Sequence, residues 1–411
     1  MKKISELKPT PKERKSELGL AESIIHEIRG MGYDSMLVGS IAKNTCLRGD
    51  KDLDIFILFD KKVPRKILER DGLEIGKKVA KAFAVKSGTH YAEHPYTKTN
   101  IKGYDVDLVP CYDIKKGEKI ISAVDRSPLH TEYMLANLKK PDEVRLLKHF
   151  CKEIGVYGAE IETHGFSGYL CELLVLKFGS FRKVLEAASK WEFGEYITIT
   201  EGNKEFREPL VLVDPVDLER NVAAAVSEEK LCEFILLSRE FLKTKKTPGH
   251  APLLPKRGHA MAIEWSIGEE NEEIIWSQLQ RFEKKLVKQL EEKEFGVIDS
   301  AIWTDCCSKA QILLEFEVWE LPPVNDHWGP RVYDKTHAET FIKKYKKAVV
   351  RGNRVVTERK REYPTAKGLL KELLKQPVTH LKRKKYRILE GSAAKKTRVW
   401  KEYGKRFWRL H

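Results

Sequence analysis

Two aspartates, Asp52 and Asp54, stand two residues apart at the start of the apolar run KDLDIFILFD. Side chains of a β-strand alternate between its faces, so these two carboxylates share one face and the apolar residues between them point into a core. A second strand-like run, YDVDLVPCY (104–112), offers Asp105 and Asp107 in the same arrangement. Neighbouring carboxylates repel each other unless a cation lies between them, and oxygen ligands of this kind suit Mg²⁺. The spacing therefore predicts a metal site built from carboxylates of two strands.

The pair Gly39-Ser40 precedes the first acidic run and opens a short stretch that is compatible with a helix. Backbone N–H groups at the start of a helix bind phosphate oxygens. Carboxylate metal ligands near a phosphate-binding turn are what phosphoryl or nucleotidyl transfer by two metal ions requires. An isolated Asp-x-Asp is most often a loop or a solvated strand edge. The prediction therefore depends on the order of the motifs, which is Gly-Ser turn, first acidic strand, second acidic strand.

Length and composition limit the class of protein. The 411-residue chain is long enough for roughly two to four domains with separate cores. Its seven cysteines include no Cys-x-x-Cys pair, which indicates reduced thiols in an intracellular protein. The N-terminal segment lacks the apolar core of a signal peptide, and no run is long and apolar enough to span a membrane. We therefore expect a soluble, cytoplasmic protein without a membrane partner.

Positive charge is concentrated in the last fifth of the chain. The whole sequence has a net charge of +15. Residues 331–411 contain 26 Lys and Arg against 7 Asp and Glu, a net charge of +19, which leaves −4 for residues 1–330. A charge run is most often a solvated face, and basic tails also contact membranes. Here, however, aromatic residues recur among the cations within patterned segments, so we predict a folded surface that binds polynucleotide.

The elements around the acidic runs predict a mixed domain followed by a helical one. Up to residue 140 strands alternate with helices, and two strands are predicted between residues 89 and 113. Residues 165–189 and 228–244 predict long apolar helices. Between them, residues 211–226 predict a strand, a turn and the start of a helix. A second alternation of strands and helices follows and leads into the basic region.

With these elements in place, the acidic segment resembles the nucleotidyltransferase superfamily that includes DNA polymerase β. The resemblance and the element pattern together predict the fold class, an α+β multidomain protein. Its head would be polymerase β-like, with a mixed sheet and helices. A helical central domain and an α+β C-terminal domain with a basic RNA-binding tail would follow.

Further blocks of sequence are more particular than the acidic strands. They are YAEHPY (91–96), AVDRSPLH (123–130), VRLLKHFCKEIGVYGAE (144–160), GFSGYLCELL (165–174) and VDPVDLERNVAAAV (213–226). Together they are similar to the archaeal, class I CCA-adding enzymes, the tRNA nucleotidyltransferases that build or repair the 3′ CCA end. The basic segment GPRVYDKTHAETFIKKY also resembles this family. The predicted domains are therefore a catalytic nucleotidyltransferase head (1–140), a helical nucleotide-binding neck (141–255), an α+β body (256–330) and a basic tRNA-binding tail (331–411).

The resemblance implies roles for residues near the acidic strands. Asp52, Asp54 and Asp107 would be the catalytic residues and would hold Mg²⁺. Ser40 would bind triphosphate oxygens through its hydroxyl and backbone N–H. Lys43 stands where the family usually has arginine, so it would help to hold phosphate as a point charge without a bidentate fork.

Four residues beyond the acidic strands match nucleotide contacts of the family. His130 and Lys148 would contact phosphate or ribose, and Tyr157 would contact the nucleotide through its ring or hydroxyl. Arg220 would read the edge of cytosine or adenine. Without the family pattern, a lysine on an amphipathic helix is usually solvated, a tyrosine before a glycine usually packs, and a lone histidine is usually a cap or core residue.

The resemblance implies template-independent addition and repair of the 3′ CCA of tRNA from CTP and ATP, with release of pyrophosphate. Two Mg²⁺ ions would activate the RNA 3′-hydroxyl and neutralise the leaving group. The tail would hold the acceptor stem and T arm by shape and phosphate, because A-form RNA hides its major-groove edges. The oligomeric state is open, and a homodimer is one alternative. Two other functions stay open, a poly(A) polymerase of the same superfamily and a non-catalytic RNA-binding scaffold.

Overall fold

The structure is a computed structural model that describes residues 2–91, 93–202, 204–251, 257–376, 381, 384–408 and 410. The chain forms two compact units, one of residues 1–248 with Leu410 and one of residues 249–409. Among the described residues, no helix combines the length and the apolar character that crossing a membrane requires.

The first unit begins with a five-stranded mixed sheet and its helices. The elements are α1 (Ile4–Leu7), α2 (Pro11–Gly30), β1 (Asp34–Leu37), α3 (Gly39–Ala42), β2 (Asp52–Phe59), α4 (Arg65–Ala82), β3 (Ser87–Tyr91), β4 (Pro95–Ile101) and β5 (Tyr104–Tyr112). The strand order is β1-β2-β5-β4-β3, in which β2 and β5 are parallel and the other neighbours are antiparallel. The prediction of two strands between residues 89 and 113 is wrong, because β3 and β4 are two antiparallel strands that precede β5. The turn between β4 and β5 falls at Lys102 and Gly103, both with positive φ.

Helices α2 and α4 cover one face of this sheet. The three apolar residues that alternate with the aspartates of β2 are fully buried in the core on that side, as predicted; they are Leu53, Ile55 and Ile57. Helix α4 approaches the sheet closely, because a β-carbon built on Gly76 would lie only 2.2 Å from Thr97 Oγ1. The close packing leaves the opposite face of β2 and β5 to carry the acidic residues.

The rest of the first unit is mainly helical. Its elements are α5 (Arg126–Asn137), α6 (Pro141–Glu153), α7 (Gly168–Phe178), α8 (Phe181–Ala188), β6 (Glu195–Ile197), β7 (Leu210–Asp214), β8 (Asp217–Asn221) and α9 (Glu228–Thr244). The helix predicted over 165–189 is divided, because Gly179 ends α7 in the left-handed conformation with φ of +88°.

The helix start predicted within residues 211–226 is also wrong, since this segment forms the hairpin of β7 and β8. The buried side chain of Asn221 explains the difference. Its amide oxygen accepts from the backbone N–H groups of Leu212 and Ala223, both at 2.9 Å, and its amide nitrogen donates to Leu210 O at 2.9 Å. These bonds hold the segment in an extended form in place of a helical turn.

The second unit contains two antiparallel sheets with helices. Its elements are β9 (His259–Ser266), α10 (Glu272–Glu291), β10 (Val297–Thr304), β11 (Lys309–Phe316), β12 (Val324–Arg331), α11 (Lys335–Lys344), β13 (Val349–Arg351), β14 (Arg354–Lys360), α12 (Ala366–Leu373), β15 (Tyr386–Glu390) and α13 (Arg398–Gly404). The strand orders are β10-β11-β9-β15 and β12-β14-β13. Because β15 pairs with β9, the basic C-terminal region contributes a strand to the same sheet as the segment before residue 330.

Candidate active site

The acidic strands β2 and β5 lie side by side in parallel, and their register aligns the carboxylates. Asp54 is opposite Asp107, and Asp52 is opposite Asp105. Asp54 and Asp107 are half-buried on the face away from α2 and α4, whereas Asp52 and Asp105 are exposed. Asp105 Oδ1 accepts a hydrogen bond from Asn100 Nδ2 at 2.8 Å. The structure therefore brings Asp54 and Asp107 together, with Asp52 at the edge of the same face.

The environment of this pair disfavours ionised carboxylates. Burial, followed by repulsion from Asp107 and Asp52, raises the pKa of Asp54 to about 6. The pKa of Asp107 is also raised, chiefly by burial. Asp107 Oδ1 is buried and accepts no hydrogen bond from any described residue, and Lys98 Nζ is 3.8 Å away. These are the conditions that a bound cation relieves.

The carboxylate oxygens of these aspartates also show how well the site fits a divalent metal ion. Among the described residues, no group of three or more His, Cys, Asp or Glu side chains has the spacing of a closed metal site. The carboxylates of Asp52, Asp54 and Asp107 thus share a face without converging on one point. The unsatisfied Oδ1 of Asp107 and the raised pKa of Asp54 nevertheless match what oxygen ligands offer to a divalent cation.

The Gly-Ser turn lies directly against Asp54. A β-carbon built on Gly39 would lie 2.2 Å from Asp54 Oδ2, and the φ of +73° at Gly39 is one that only glycine adopts readily. Val38 N donates to Asp54 O at 2.9 Å, which fixes the turn to β2. Ser40 follows at the start of α3. The turn is therefore next to the carboxylate pair, as the order of the motifs predicted.

Lys43, at the end of α3, enters a buried ion-pair network with α6 and α7. Its Nζ is 2.6 Å from Glu172 Oε2, and Lys148 Nζ is 3.5 Å from Glu172 Oε1. The Thr45 hydroxyl also donates to Glu172, and Lys148 Nζ donates to Thr45 Oγ1 at 3.2 Å. Burial alone would raise the pKa of Glu172, but the two ammonium groups outweigh it and lower the pKa. Glu172 is therefore ionised.

A second buried carboxylate, Asp214 at the end of β7, collects another group of side chains. His130 Nε2 and Arg220 Nη1 are each 2.8 Å from Asp214 Oδ2, and the Tyr169 hydroxyl is 3.2 Å from Oδ1. The rings of His130 and Tyr169 stack with their centroids 3.9 Å apart. Burial lowers the pKa of His130, so the ring is neutral at neutral pH. We call these four residues the Asp214 cluster.

Lys43 connects the two buried networks. Its Nζ lies 5.4 Å from the centroid of the Tyr169 ring, and its charge opposes the rise in pKa that burial causes at Asp54. Tyr157 lies nearby, since a β-carbon built on Gly168 would be 3.1 Å from Tyr157 Oη and 3.4 Å from Lys148 Nζ. The nucleotide contacts implied by the resemblance therefore occupy one region of the first unit.

A cavity of about 810 Å³ adjoins the Asp214 cluster. Arg220 lines it together with Arg126 of α5, Ser167 at the start of α7, and Lys204 and Arg207 of the segment before β7. The charged lining and the volume suit a polar ligand of nucleotide size. The resemblance assigns nucleotide contacts to several residues. Of these, among the described residues, only Arg220 lines this cavity.

Two buried carboxylates of the site, and Tyr169 beside one of them, were not predicted from the sequence. Glu172 is 1% exposed and Asp214 is fully buried, and each carboxylate binds side chains that were predicted. The signal was an acidic residue within an otherwise apolar segment, in CELL for Glu172 and in LVLVD for Asp214. Such residues are rarely buried without partners.

Three family models match this chain. They are the nucleotidyltransferase domain over residues 21–130, the second domain of tRNA nucleotidyltransferase over residues 142–248, and the C-terminal domain of CCA-adding enzyme over residues 257–391. The first match covers the sheet that carries Asp54 and Asp107. The class of protein is therefore a nucleotidyltransferase, and the predicted α+β multidomain fold with such a head and a helical middle is confirmed.

Curated relatives define the family within this class. A CCA-adding enzyme of Methanocaldococcus jannaschii is 38% identical over 93% of this chain and 92% of its own length. Those of Methanoregula boonei and Methanosarcina barkeri are 40% and 38% identical over 89% and 90% of this chain, and 84% and 88% of their own lengths. The chain belongs to the family of CCA-adding enzymes, which confirms the resemblance.

Proposed function

We propose that the protein adds the CCA sequence to the 3′ end of tRNA, using CTP and ATP without a nucleic-acid template and releasing pyrophosphate. The observation that carries the proposal is the carboxylate pair Asp54 and Asp107, held on parallel strands beside the Gly39 turn with one buried oxygen unsatisfied. Relatives named CCA-adding enzyme, which align with about nine-tenths of the chain, support the choice of substrate.

Asp52, Asp54 and Asp107 would hold Mg²⁺, which supplies charge neutralisation of the phosphates and a lower pKa for the RNA 3′-hydroxyl. The register of β2 and β5 supports this assignment, because it aligns Asp54 with Asp107 and leaves Asp52 on the same face. The work of the chain is then positioning, since phosphoryl chemistry asks for little covalent assistance from side chains.

The remaining proposed roles concern the nucleotide. Ser40 would bind triphosphate oxygens, and Lys43 and Lys148 would attract them with the positive charge that Glu172 leaves uncompensated. Two ammonium groups share this single carboxylate.

Two further residues would contact the sugar and the base. His130 is neutral, so it would act as a hydrogen-bonding group for ribose and not as a phosphate-binding cation. Tyr157 would contact the nucleotide near Gly168. Arg220 would read the base from the wall of the cavity.

We also propose that residues 1–140 act as catalytic head, 141–255 as neck, 256–330 as body and 331–411 as the basic part that holds the acceptor stem and T arm. The net charge of +19 beyond residue 330 supports the last role. A cytoplasmic location agrees with tRNA as substrate. Light scattering on the purified protein would decide between a monomer and a homodimer.

Three tRNA transcripts test the proposed function. The first lacks the whole CCA sequence, the second ends in its first C, and the third ends in CC. We expect CTP to be added to the first two and ATP to the third, each supplied singly. A poly(A) polymerase would extend all three with ATP, and a non-catalytic scaffold would bind tRNA without adding any nucleotide.

The carboxylate assignment has a matched control on the same strand. Asp107→Ala should abolish addition and leave tRNA binding intact, because it removes a proposed metal ligand. Asp105→Ala removes an exposed carboxylate two residues away and should keep activity within roughly tenfold of wild type, since a surface group of this kind contributes little. Activity retained in Asp107→Ala would contradict the assignment.

A further inference from the structure

Asp214 is saturated with hydrogen-bond donors. Oδ2 accepts from His130 Nε2 and Arg220 Nη1, each at 2.8 Å, while Oδ1 accepts from the Tyr169 hydroxyl at 3.2 Å and the Val216 backbone N–H at 3.1 Å. A fully buried carboxylate is costly unless such donors compensate it. The side-chain donors come from α5, α7 and β8. One carboxylate therefore fixes side chains from three separate elements.

Arg220 is the member of the Asp214 cluster that reaches a ligand-sized space. Its side chain is 35% exposed and lines the cavity of about 810 Å³. A guanidinium is planar and carries its N–H donors in a fixed fork. Because Nη1 is bound to Asp214, rotation of the guanidinium is restricted, and its other donors meet a ligand in the cavity over a limited range of angles.

His130 is held in one orientation and one tautomer. Asp214 accepts only, so Nε2 of the neutral ring carries the proton that bonds to it, and Nδ1 is left as an acceptor. The stacked ring of Tyr169, inclined by 24°, prevents the imidazole from turning. The partner groups thus define both the plane of the ring and the position of its free lone pair.

The bases themselves explain why orientation matters. Cytosine and adenine present an unprotonated ring nitrogen beside an amino group, whereas uracil and guanine present an N–H beside a carbonyl. A guanidinium only donates, so an N–H held against the ring nitrogen bonds to cytosine or adenine and opposes the ring N–H of uracil or guanine. A guanidinium free to move could instead bond to the neighbouring carbonyl of uracil or guanine. The difference in binding free energy between the two kinds of base is large only if the guanidinium cannot rotate away from the mismatched N–H group.

We propose that Asp214 is a positioning residue for base selection, which holds the guanidinium of Arg220 in a restricted orientation, with His130 beside it, so that the pocket accepts cytosine and adenine and rejects uracil and guanine. The inference rests on the proposed function and adds to it a residue that does not itself touch the nucleotide. A merely structural role for Asp214 would lower addition of all four nucleotides alike.

The substitution Asp214→Asn keeps the shape and removes the charge. With the four triphosphates supplied singly to tRNA lacking CCA, we expect the preference for CTP over UTP to fall roughly tenfold or more, as for loss of a charged hydrogen bond. On tRNA ending in CC, the preference for ATP over GTP should fall similarly, while KM for CTP and ATP changes less. Tyr169→Phe is the matched control. It removes one donor from the same carboxylate, leaves Arg220 and His130 bound, and should keep the wild-type preference.

A double-mutant cycle distinguishes positioning of Arg220 by Asp214 from a general disturbance of the site. If Asp214 acts through Arg220, Asp214→Asn should change the preference little further in an Arg220→Ala background. Equal losses for all four nucleotides, or fully additive effects in the cycle, would overturn the proposal. Thermal unfolding accompanies each variant. If Asp214→Asn does not fold, Arg220→Lys replaces it, because it keeps the charge and loses the fork, and an unchanged preference there would also overturn the proposal.

A binding experiment distinguishes failure of the proposed function from failure of the role of Asp214. Calorimetry measures the binding of each nucleotide to the complex of the protein with a tRNA that ends in a 3′-deoxynucleotide and cannot be extended. If the wild type adds no nucleotide yet binds CTP and ATP in preference to UTP and GTP, and Asp214→Asn loses this preference, the proposed function fails and the role of Asp214 stands. If wild-type binding shows no preference among the four nucleotides, the role of Asp214 fails by itself.

Discussion

Individual residues of the site are placed at a cost to the stability of the fold. Asp54 and Asp107 are half-buried beside each other, and one buried oxygen of Asp107 accepts no hydrogen bond from the described residues. Lys43 and Lys148 are buried as cations and depend on one carboxylate, Glu172. Such arrangements are typical of functional sites, where the missing interaction is one that a ligand supplies.

The raised pKa of Asp54 predicts how stability depends on pH. The folded protein keeps the Asp54 proton up to about pH 6, whereas the unfolded chain releases it near the ordinary value of 3.8. The folded state binds more protons in this window, so the free energy of unfolding falls as the pH rises through it. We expect metal-free Asp54→Asn to unfold at a higher temperature than wild type above pH 6, and the difference to disappear near pH 4. Thermal unfolding in EDTA across this range measures it. A lower unfolding temperature for the variant at neutral pH would contradict the electrostatic argument.

Gly39 offers a test of the turn against Asp54. Gly39→Ala puts a methyl group 2.2 Å from Asp54 Oδ2 and forces a positive φ on alanine. Gly32→Ala imposes the same backbone strain, at φ of +87°, with no atom within 4 Å of the new methyl group. Both should lose about 1–2 kcal/mol of stability from the backbone. Only Gly39→Ala should also lose nucleotide addition, by roughly a hundredfold or more if the carboxylate is displaced by an ångström. Equal activity in the two variants would show that the contact does not matter for catalysis.

At the scale of elements, buried polar side chains tie α6 and α7 to α3 and to the segment that follows it. Arg145 on α6 is fully buried and donates to Cys46 O at 2.9 Å and Asn44 Oδ1 at 2.8 Å. Glu172 on α7 joins Lys43 to Lys148 in the same region. The contacts around the proposed nucleotide site are thus polar and directional, which fixes the approach of α6 and α7 to the turn after α3.

Removing Glu172 should therefore destabilise this junction strongly. Glu172→Ala leaves two buried ammonium groups without a counter-charge, so we expect the free energy of unfolding to fall by about 3–5 kcal/mol. Glu186→Ala on α8 is the control, because Glu186 is 48% exposed and pairs with Arg182 on the surface. It should cost less than about 1 kcal/mol. Urea unfolding measures both. Similar losses in the two variants would mean that the network contributes no more than a surface ion pair.

At the scale of the whole molecule, the start of the basic region near residue 330 does not coincide with a boundary between compact units. The basic region beyond residue 330 is part of the second compact unit, and its strand β15 completes the sheet with β9. Tyr403 of α13 is buried, and its hydroxyl bonds to Glu315 at 2.9 Å. Deleting the region would therefore remove part of a core as well as its charge, so substitutions on the surface are the better test of RNA binding.

Four exposed lysines around the end of α11 provide that test. We expect the variant with all four changed to Gln to bind tRNA more weakly, with a log–log salt dependence shallower by roughly 0.7–0.9 for each phosphate that is no longer neutralised. The lysines are Lys343, Lys344, Lys346 and Lys347. The matched control changes four exposed lysines of α4 to Gln, namely Lys66, Lys77, Lys78 and Lys81, and should leave affinity and slope unchanged. Equal effects of both sets would indicate attraction by overall charge without a defined surface.

The sequence by itself determined the features that depend on local order and periodicity. The alternation in β2 places Leu53 in the core and Asp54 on the opposite face, and the Gly39-Ser40 pair marks the turn before the first acidic strand. The concentration of charge beyond residue 330 is also independent of the fold. Such features follow from neighbours in the chain, so they can be predicted without knowing what packs against them.

Tertiary structure alone decided which buried groups meet. The pairing of Asp54 with Asp107 depends on β5 lying parallel to β2, and the contacts of Glu172 and Asp214 join residues up to 129 positions apart. The hairpin of β7 and β8 likewise depends on a buried side chain, that of Asn221, which bonds to the backbone of the neighbouring strand. A buried charge is stable only beside its partners, and the partners are chosen by packing between elements, which periodicity along one element does not contain.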